Sequence, residues 1–369
     1  MKTLKIALVA THTFPLPPPT HTGDVVILDL AIARHGLGHE VTMYAPAGTK
    51  APGRLLSMPA SLGKSAPSSE DCEQQCFNDH QTALRTEDIV HDFSITKRIA
   101  ETLASEGRPT VSTPLGGVWA HPAPPLNICV WSEAMRQRGL RGATDYEGTP
   151  TPGMGGPPQR PIKDAHVVYG GIDTDWYTPE GPKESFFLWM NRWHPAKGYR
   201  QAIDLASATG IELVMAGEHP DNEMFEYQRN CALEAVELAK GLSNVRFCWL
   251  PADPDHHTAK RELYRQARAL IYSVKFQEPF GLSQVESLAC GTPVIGVGYG
   301  SVPEVIDHGE TGFVVGDSIA ELAAEVQRIG NIDPRICREE AVRRFDRRVM
   351  AENYLAEYQA VVNGQVWGG

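Results

Sequence analysis

Short apolar runs and stretches of helical periodicity alternate along most of the chain, and the two patterns predict its elements. Lys5–Ala10 is an apolar run of strand length. Phe14–Gly23 carries four prolines and reads as a turn-rich loop. Asp24–His35 then has helical spacing, with Val26, Leu30 and Ala33 near one face, and Gly36–Gly38 ends it. His39–Ala45 is the next strand. Strand, glycine-bearing loop, helix and strand together make a Rossmann-like unit. Residues 48–82 are rich in Ser, Pro, Gly and polar side chains, show no clear period, and read as a long surface excursion. Ile89–His91 predicts a strand, Ile95–Ser105 a helix and Pro109–Ser112 a strand. Gly142–Pro161 is dense in Gly and Pro and reads as a loop.

The alternation restarts in the second half. Phe186–Met190 predicts a strand, Gly198–Thr209 a helix and Glu212–Ala216 a strand. Val245–Leu250 and Ala269–Ser273 are further strands, with a helix at Ala259–Ala267 between them. Leu282–Ala289 is a helix, Pro293–Val297 a strand and Ile319–Ile329 a helix. In Arg347–Val362, Met350, Tyr354, Leu355, Tyr358 and Val362 fall at helical spacing. The class is α/β with parallel sheets. Two Rossmann-like domains are expected, at 1–178 and 179–345, followed by a C-terminal helical segment at 346–369.

Composition narrows the function classes. The 369 residues suit two domains of ordinary size, and 42% hydrophobic with 21% charged is the balance of a water-soluble globular chain. No apolar run reaches bilayer length, and Met1–Ala10 reads as a buried first strand rather than a signal sequence. A net charge of −11 argues against nucleic acid as a partner, because phosphate neutralisation needs a basic face. Seven scattered cysteines indicate reduced thiols and a cytoplasmic setting. The one close pair, Cys72 and Cys76, has no matching Cys or His pair to complete a zinc site. Nothing in the sequence sets an oligomeric state.

Candidate chemistry lies at the ends of predicted strands. Arg192 and Lys197 follow the strand Phe186–Met190, where open α/β sheets bind ligands. Arg can fork onto two phosphate oxygens and Lys supplies a point charge. Taken alone, they read as two solvated loop cations. Glu278 and Glu286 flank the start of the helix Leu282–Ala289. At ~1.5 Å per residue they would lie roughly 12 Å apart along a helix axis, about the span from a nucleotide's ribose to an attached hexose. The amides at Phe280, Gly281 and Leu282 would face the phosphates between them. Without context, one helix-cap acid and one surface acid is the default reading. Asp173–Asp175 and Asp253–Asp255 form Asp-x-Asp triplets, but their settings do not favour a metal site. Trp119, Trp131 and Trp193 offer either sugar-stacking faces or core packing.

Context for the acids comes from Phe276–Ile295, which contains Glu278-Pro-Phe-Gly-Leu-Ser-Gln-Val-Glu286, and from Gly300–Val314. Both closely resemble the signature of retaining glycosyltransferase family 4, of GT-B fold. Asn191–Gly198 is similar to that family's phosphate-binding Arg and Lys loop, Gly36–Val41 to its "GHEV" segment, and Gly170–Asp175 to its interdomain "NGVD" segment. The resemblance is strong over about 165–360 and patchy over 1–140. It implies two domains facing a central cleft, with the C-terminal helix crossing back to the N-terminal domain. It also implies metal-independent hexose transfer, with retention, from a UDP- or GDP-linked sugar to a glycan, lipid or small-molecule hydroxyl. A lipid acceptor would place the protein at a membrane surface. By the resemblance, Glu278 is catalytic at the transferring sugar and Glu286 accepts the ribose hydroxyls. Arg192 and Lys197 hold the diphosphate, and Gly23 lets backbone approach it. Leu250 lies where the base is read.

Three departures stand out. Thr22 replaces the first glycine of the N-terminal loop, and Gly170 replaces the usual Asn. Leu115 stands where many members carry a sugar-contacting His. His121, beyond Gly116, is the candidate substitute, and His12 is a second cleft candidate. Leu115 keeps open a catalytically impaired sugar-nucleotide-binding protein, and the other alternative is a nucleotide-sugar epimerase of the same fold, which the Glu278–Glu286 context disfavours.

Overall fold

The structure is a computed structural model that describes residues 3–18, 23–61, 66–115, 127–141, 161–221, 226–251 and 255–367. In chain order the first half runs β1 Lys5–Val9, α1 Val25–Gly36, β2 Glu40–Pro46, β3 Arg54–Met58, α2 Ser69–Leu84, β4 Ile89–Asp92, α3 Arg98–Ser105 and β5 Thr110–Ser112. Next come β6 Cys129–Val130, α4 Glu133–Arg141 and β7 His166–Val167. The second half begins with β8 Phe187–Met190, α5 Tyr199–Thr209, β9 Leu213–Glu218, α6 Glu226–Leu238, β10 Val245–Leu250, α7 Asp255–Gln266 and β11 Ala269–Tyr272. It ends with α8 Leu282–Ala289, β12 Val294–Val297, α9 Val302–Val305, β13 Gly312–Val315, α10 Ile319–Arg328, α11 Pro334–Phe345 and α12 Arg347–Val362.

Two parallel sheets result. The first has the order β3-β2-β1-β4-β5, and the second β10-β9-β8-β11-β12-β13. β6 and β7 pair in parallel and join the first sheet through a bridge between Ser112 and Ile128. β1 is the central strand of its sheet and its Ile6, Ala7, Leu8 and Val9 are fully buried, which is why its sequence is continuously apolar. β8 has the same role and the same apolar character in the second sheet.

The 48–82 segment is not an excursion. It supplies the edge strand β3, in register with β2 from Thr42↔Arg54 to Pro46↔Met58, and most of the helix α2. Ser68 caps α2 by accepting the Asp71 amide. Its buried stripe is Cys72, Glu73, Cys76 and Leu84, so a carboxylate and two thiols stand where a period search expects aliphatic residues. Glu73 takes the Thr96 amide and hydroxyl at 2.7 and 2.5 Å, which makes its burial possible. All seven cysteines are free thiols.

The chain passes between the halves twice, and the two passages lie side by side. Ile172 donates to Phe345 O at 2.9 Å and accepts from the Arg347 amide at 2.8 Å. Beyond this crossing α12 packs on α1 of the first half. Tyr358 receives the Arg34 guanidinium over its ring at 4.7 Å and bonds His91 Nδ1 at 2.6 Å. Among the described residues no helix is long and apolar enough to cross a membrane.

Candidate functional site

The ends of β8, β9, β10 and β11 carry one wall of the site. β8 stops at Met190, and His194 caps a short turn at Pro195–Lys197 by accepting the Ala196 amide. Gly198 follows with φ of +72°, and a Cβ there would lie 1.7 Å from Ser273 O. Only glycine fits, and this close approach fixes where Lys197 leaves the backbone. Lys197 Nζ meets Glu278 Oε2 at 2.7 Å and sits 4.5 Å over the Phe276 ring. Tyr272 donates its hydroxyl to the same carboxylate oxygen at 2.5 Å. Burial, then the neighbouring Glu278 charge, pushes the Tyr272 hydroxyl well above the usual phenol range, so it stays a donor. The Lys197 and Glu278 side chains are 12% and 8% exposed, which leaves the pair open to a ligand while largely desolvated.

Glu278 is not on the helix. α8 begins at Leu282, after Gly281 with φ of +82°. The expected 12 Å spacing therefore rested on a helical rise across residues that are not helical. Only 282–286 climbs the axis, by roughly 6 Å. The Phe280 ring packs inside the protein, and the donor contact expected of this residue was its backbone amide. The ring is buried among Trp131, Tyr169 and Phe345, at ring separations of 6.3, 6.4 and 5.7 Å. This ring explains the missing Asn, since a Cβ at Gly170 would meet Phe280 Cε1 at 2.9 Å.

Glu286, the expected acceptor for ribose hydroxyls, already receives three side-chain donors. Oε1 takes Tyr177 Oη at 3.0 Å and Lys260 Nζ at 2.9 Å, and Oε2 takes Tyr264 Oη at 3.0 Å. A carboxylate offers about four acceptor sites, so most of its capacity is spent inside the protein. Tyr177 and Lys260 were missed from sequence. Their signal is slight: an aromatic in the interdomain segment, and a lysine four residues before Tyr264 on the same helical face.

A small cavity at the strand ends is lined by Met190, Asn191, Arg192, Gly217, Glu218, Leu250, His256 and Lys260. It unites Arg192 and Leu250, two of the expected donor contacts. His256 is buried and donates Nδ1–H to Pro251 O at 3.1 Å. Burial, then Lys260, lowers its pKa to about 4, so the ring is neutral and Nε2 is an acceptor. Nε2 has no partner among the described residues. Glu218 is pushed up by burial, with Arg192 opposing.

Most of the other expected site residues lie in the first half. Gly23 precedes α1, and a Cβ there would lie 3.7 Å from Trp131 Cζ3. Trp131 in turn faces Phe280, so its role is packing at the junction of the halves. Trp193 is buried against Trp189 at 4.9 Å and also packs in the core, while Trp119 lies outside the described residues. His12 does not open into the cleft. It is buried, bonds Ser61 Oγ at 2.7 Å and lies 3.8 Å from Glu73. Leu115 packs against the core, and His121 lies outside the described residues. The loop before Leu115 is tied down by buried Lys97, which donates to the carbonyls of Asp92, Ser94 and Thr113. Burial lowers that lysine to about 8.

The first Asp-x-Asp triplet has a structural use. Asp173 accepts the amides of Asp175 and Trp176 and pairs with Arg347 at 3.0 Å, while Asp175 pairs with Arg348 at 3.4 Å. Of the second triplet only Asp255 is described, at the start of α7. Among the described residues no group of three or more His, Cys, Asp or Glu is placed to hold a metal.

Comparison with known proteins places this geometry. Residues 175–343 match the family model described as glycosyl transferases group 1. A D-inositol 3-phosphate glycosyltransferase from a Mycobacterium species is 28% identical over 190 residues, 48% of this chain and 42% of the relative. The chain thus spans less than half the length of that relative. The Mycobacterium tuberculosis protein of the same name is 27% identical over 379 residues, 88% of this chain and 75% of its own. Among solved structures, AviGT4, a glycosyltransferase of avilamycin A biosynthesis, has 23% identity, a TM-score of 0.69 and 99% coverage of both chains. Sucrose-phosphate synthase from Thermosynechococcus elongatus has 17% identity, a TM-score of 0.72 and coverage of 98% and 99%. Likeness at this level establishes the GT-B architecture.

Proposed function

We propose that the protein is a retaining glycosyltransferase that moves a hexose from a UDP- or GDP-linked sugar to a hydroxyl acceptor without a metal. The observation that carries this reading is the Lys197–Glu278 pair. Residues from two separate loops meet at 2.7 Å at the strand ends, within the segment that matches the glycosyl transferases group 1 model. In this reading the donor diphosphate takes Lys197 as counter-ion, with Arg192 beside it. Lys197 then leaves Glu278 to the sugar, where its charge favours an oxocarbenium-like centre. Tyr272 keeps Glu278 oriented during the exchange. The cavity at Leu250 and His256 takes the nucleoside. The acceptor, a glycan, lipid or small molecule, approaches from the first half.

Melting temperatures measured against a panel of nucleotide diphosphates and their sugars test the donor part, because a ligand that binds only the folded state raises them. Selective stabilisation by one nucleotide series is expected. Glu278→Gln tests the chemistry: transfer falls by ~10²–10³-fold while donor binding persists. A wild-type protein that binds donor but neither transfers nor hydrolyses it overturns the enzyme reading. Leu115 favours that second reading, a sugar-nucleotide-binding protein, since an aliphatic side chain packed on the core cannot contact a sugar by hydrogen bonds.

A further inference from the structure

We infer that helix α4 and Glu304 position the loop that carries Glu278, so that Glu304 is a positioning residue for the reaction. The inference rests on the proposed role of Glu278. Three consecutive backbone carbonyls around that residue are each held. Gln277 O accepts from Arg138 Nη1 at 2.9 Å, and Pro279 O from Ser132 Oγ at 2.5 Å. Both donors belong to the first half: Arg138 is on α4 and Ser132 immediately precedes it. Glu278 O accepts the Ser301 amide at 2.9 Å, and Gly300 donates its amide to Gln277 Oε1 at 3.1 Å. The loop is thus gripped by α4 on one side and by residues 300–301 on the other.

Glu304 joins the two grips. It lies on α9, just past Ser301, and its carboxylate spans to the first turn of α4. Oε2 takes the Glu133 amide at 2.8 Å and Oε1 takes the Ala134 amide at 2.7 Å. Tyr169 Oη adds a third donor to Oε2 at 3.1 Å. Amides that open a helix have no partner within it, and an anion there is favoured by the helix dipole. Ser132 Oγ accepts the Met135 amide at 3.0 Å, and Glu304 completes the cap of α4 from the second half, fixing the height at which Ser132 and Arg138 meet the loop. The seating of the first half and the placement of Glu278 become one structural event.

The test compares wild type with Glu304→Gln, Glu304→Ala and Ser132→Ala in the full chain. The first readout is amide hydrogen exchange of the peptide covering 276–281. Glu304→Ala is expected to speed exchange there and at 133–134 by about tenfold or more, with the core strands unchanged. The second readout is hydrolysis of UDP-glucose and GDP-mannose without acceptor. Expected is a kcat lower by about tenfold with KM within about threefold, and partial recovery in Glu304→Gln, which keeps one acceptor oxygen. Unchanged exchange at 276–281 in Glu304→Ala overturns the inference, as does a loss confined to KM. If wild type hydrolyses neither donor, the proposed activity is what fails, and the exchange experiment still decides the coupling.

Discussion

The Lys260–Glu286 pair offers the sharpest test of how the second acid is used. Both side chains are 2% exposed, and their atoms meet at 2.9 Å. Lys260→Met keeps an unbranched side chain one atom shorter and removes the charge. Breaking one side of a buried pair costs ~3–5 kcal/mol, because the remaining charge stays desolvated. Here Tyr177 and Tyr264 still donate to the carboxylate, so the lower end, about 3 kcal/mol, is expected. For a unit of this size that is roughly 6–12 °C in melting temperature. Glu286→Gln leaves the ammonium buried instead, with no anion, and should cost at least as much. The double variant Lys260→Met, Glu286→Gln removes both charges and should recover most of the loss, giving a coupling of about 2 kcal/mol or more. Thermal melts of the four proteins, with and without nucleotide diphosphate, complete the cycle. Single variants within about 0.5 kcal/mol of wild type, or strictly additive losses, would refute the buried-pair reasoning. A Glu286→Gln protein of unchanged stability but lost nucleotide binding would instead support the ribose role implied by resemblance.

Other consequences follow directly. His256 has an ordinary value of 6.5 and is held near 4 in the folded state, so the unfolded chain binds its proton first. Its contribution is present above pH 6.5 and is lost as pH falls towards 4, and His256→Gln should flatten that part of the stability profile. Gly198→Ala should prevent proper folding or lower the melting temperature sharply, because its Cβ would lie 1.7 Å from Ser273 O. Gly210→Ala, at a similar φ of +73° but with nothing within 4 Å, should cost only about 1 kcal/mol, measured by the same melts.

Periodicity revealed the fold wherever the burial pattern and the chemistry of the buried residues agreed. Val245–Leu250, Leu282–Ala289 and Arg347–Val362 have the same bounds in sequence and structure. α2 escaped because its buried face is Cys72, Glu73 and Cys76, and β6 and β7 because two residues carry no period. α6 escaped for a related reason: only Cys231, Ala232 and Ala235 are buried along it. At the site, motif spacing located Arg192, Lys197, Glu278 and Glu286, yet it carried no information on what each side chain touches. Lys260 and Tyr177 reach Glu286 from 26 and 109 positions away, a relation only the folded chain creates.

The two acids of the motif are chemically alike, and their surroundings separate them. Glu278 has one ammonium partner on a loop, partly exposed, and one phenol that holds its orientation. In the proposed reaction the donor diphosphate, with two negative charges in all, would compete with a single carboxylate for that ammonium. Glu286 has its ammonium on a helix and two further donors, all buried. A ligand that displaced Lys260 would have to leave two buried phenols and a charge re-paired at once, which low dielectric makes costly. The first pair is thus the more exposed of the two and the second the more enclosed. The Lys197–Glu278 pair sits against the α4 clamp and Glu286 lies about one turn into α8, so in the proposed reaction a donor would act on Glu278 without loosening that helix.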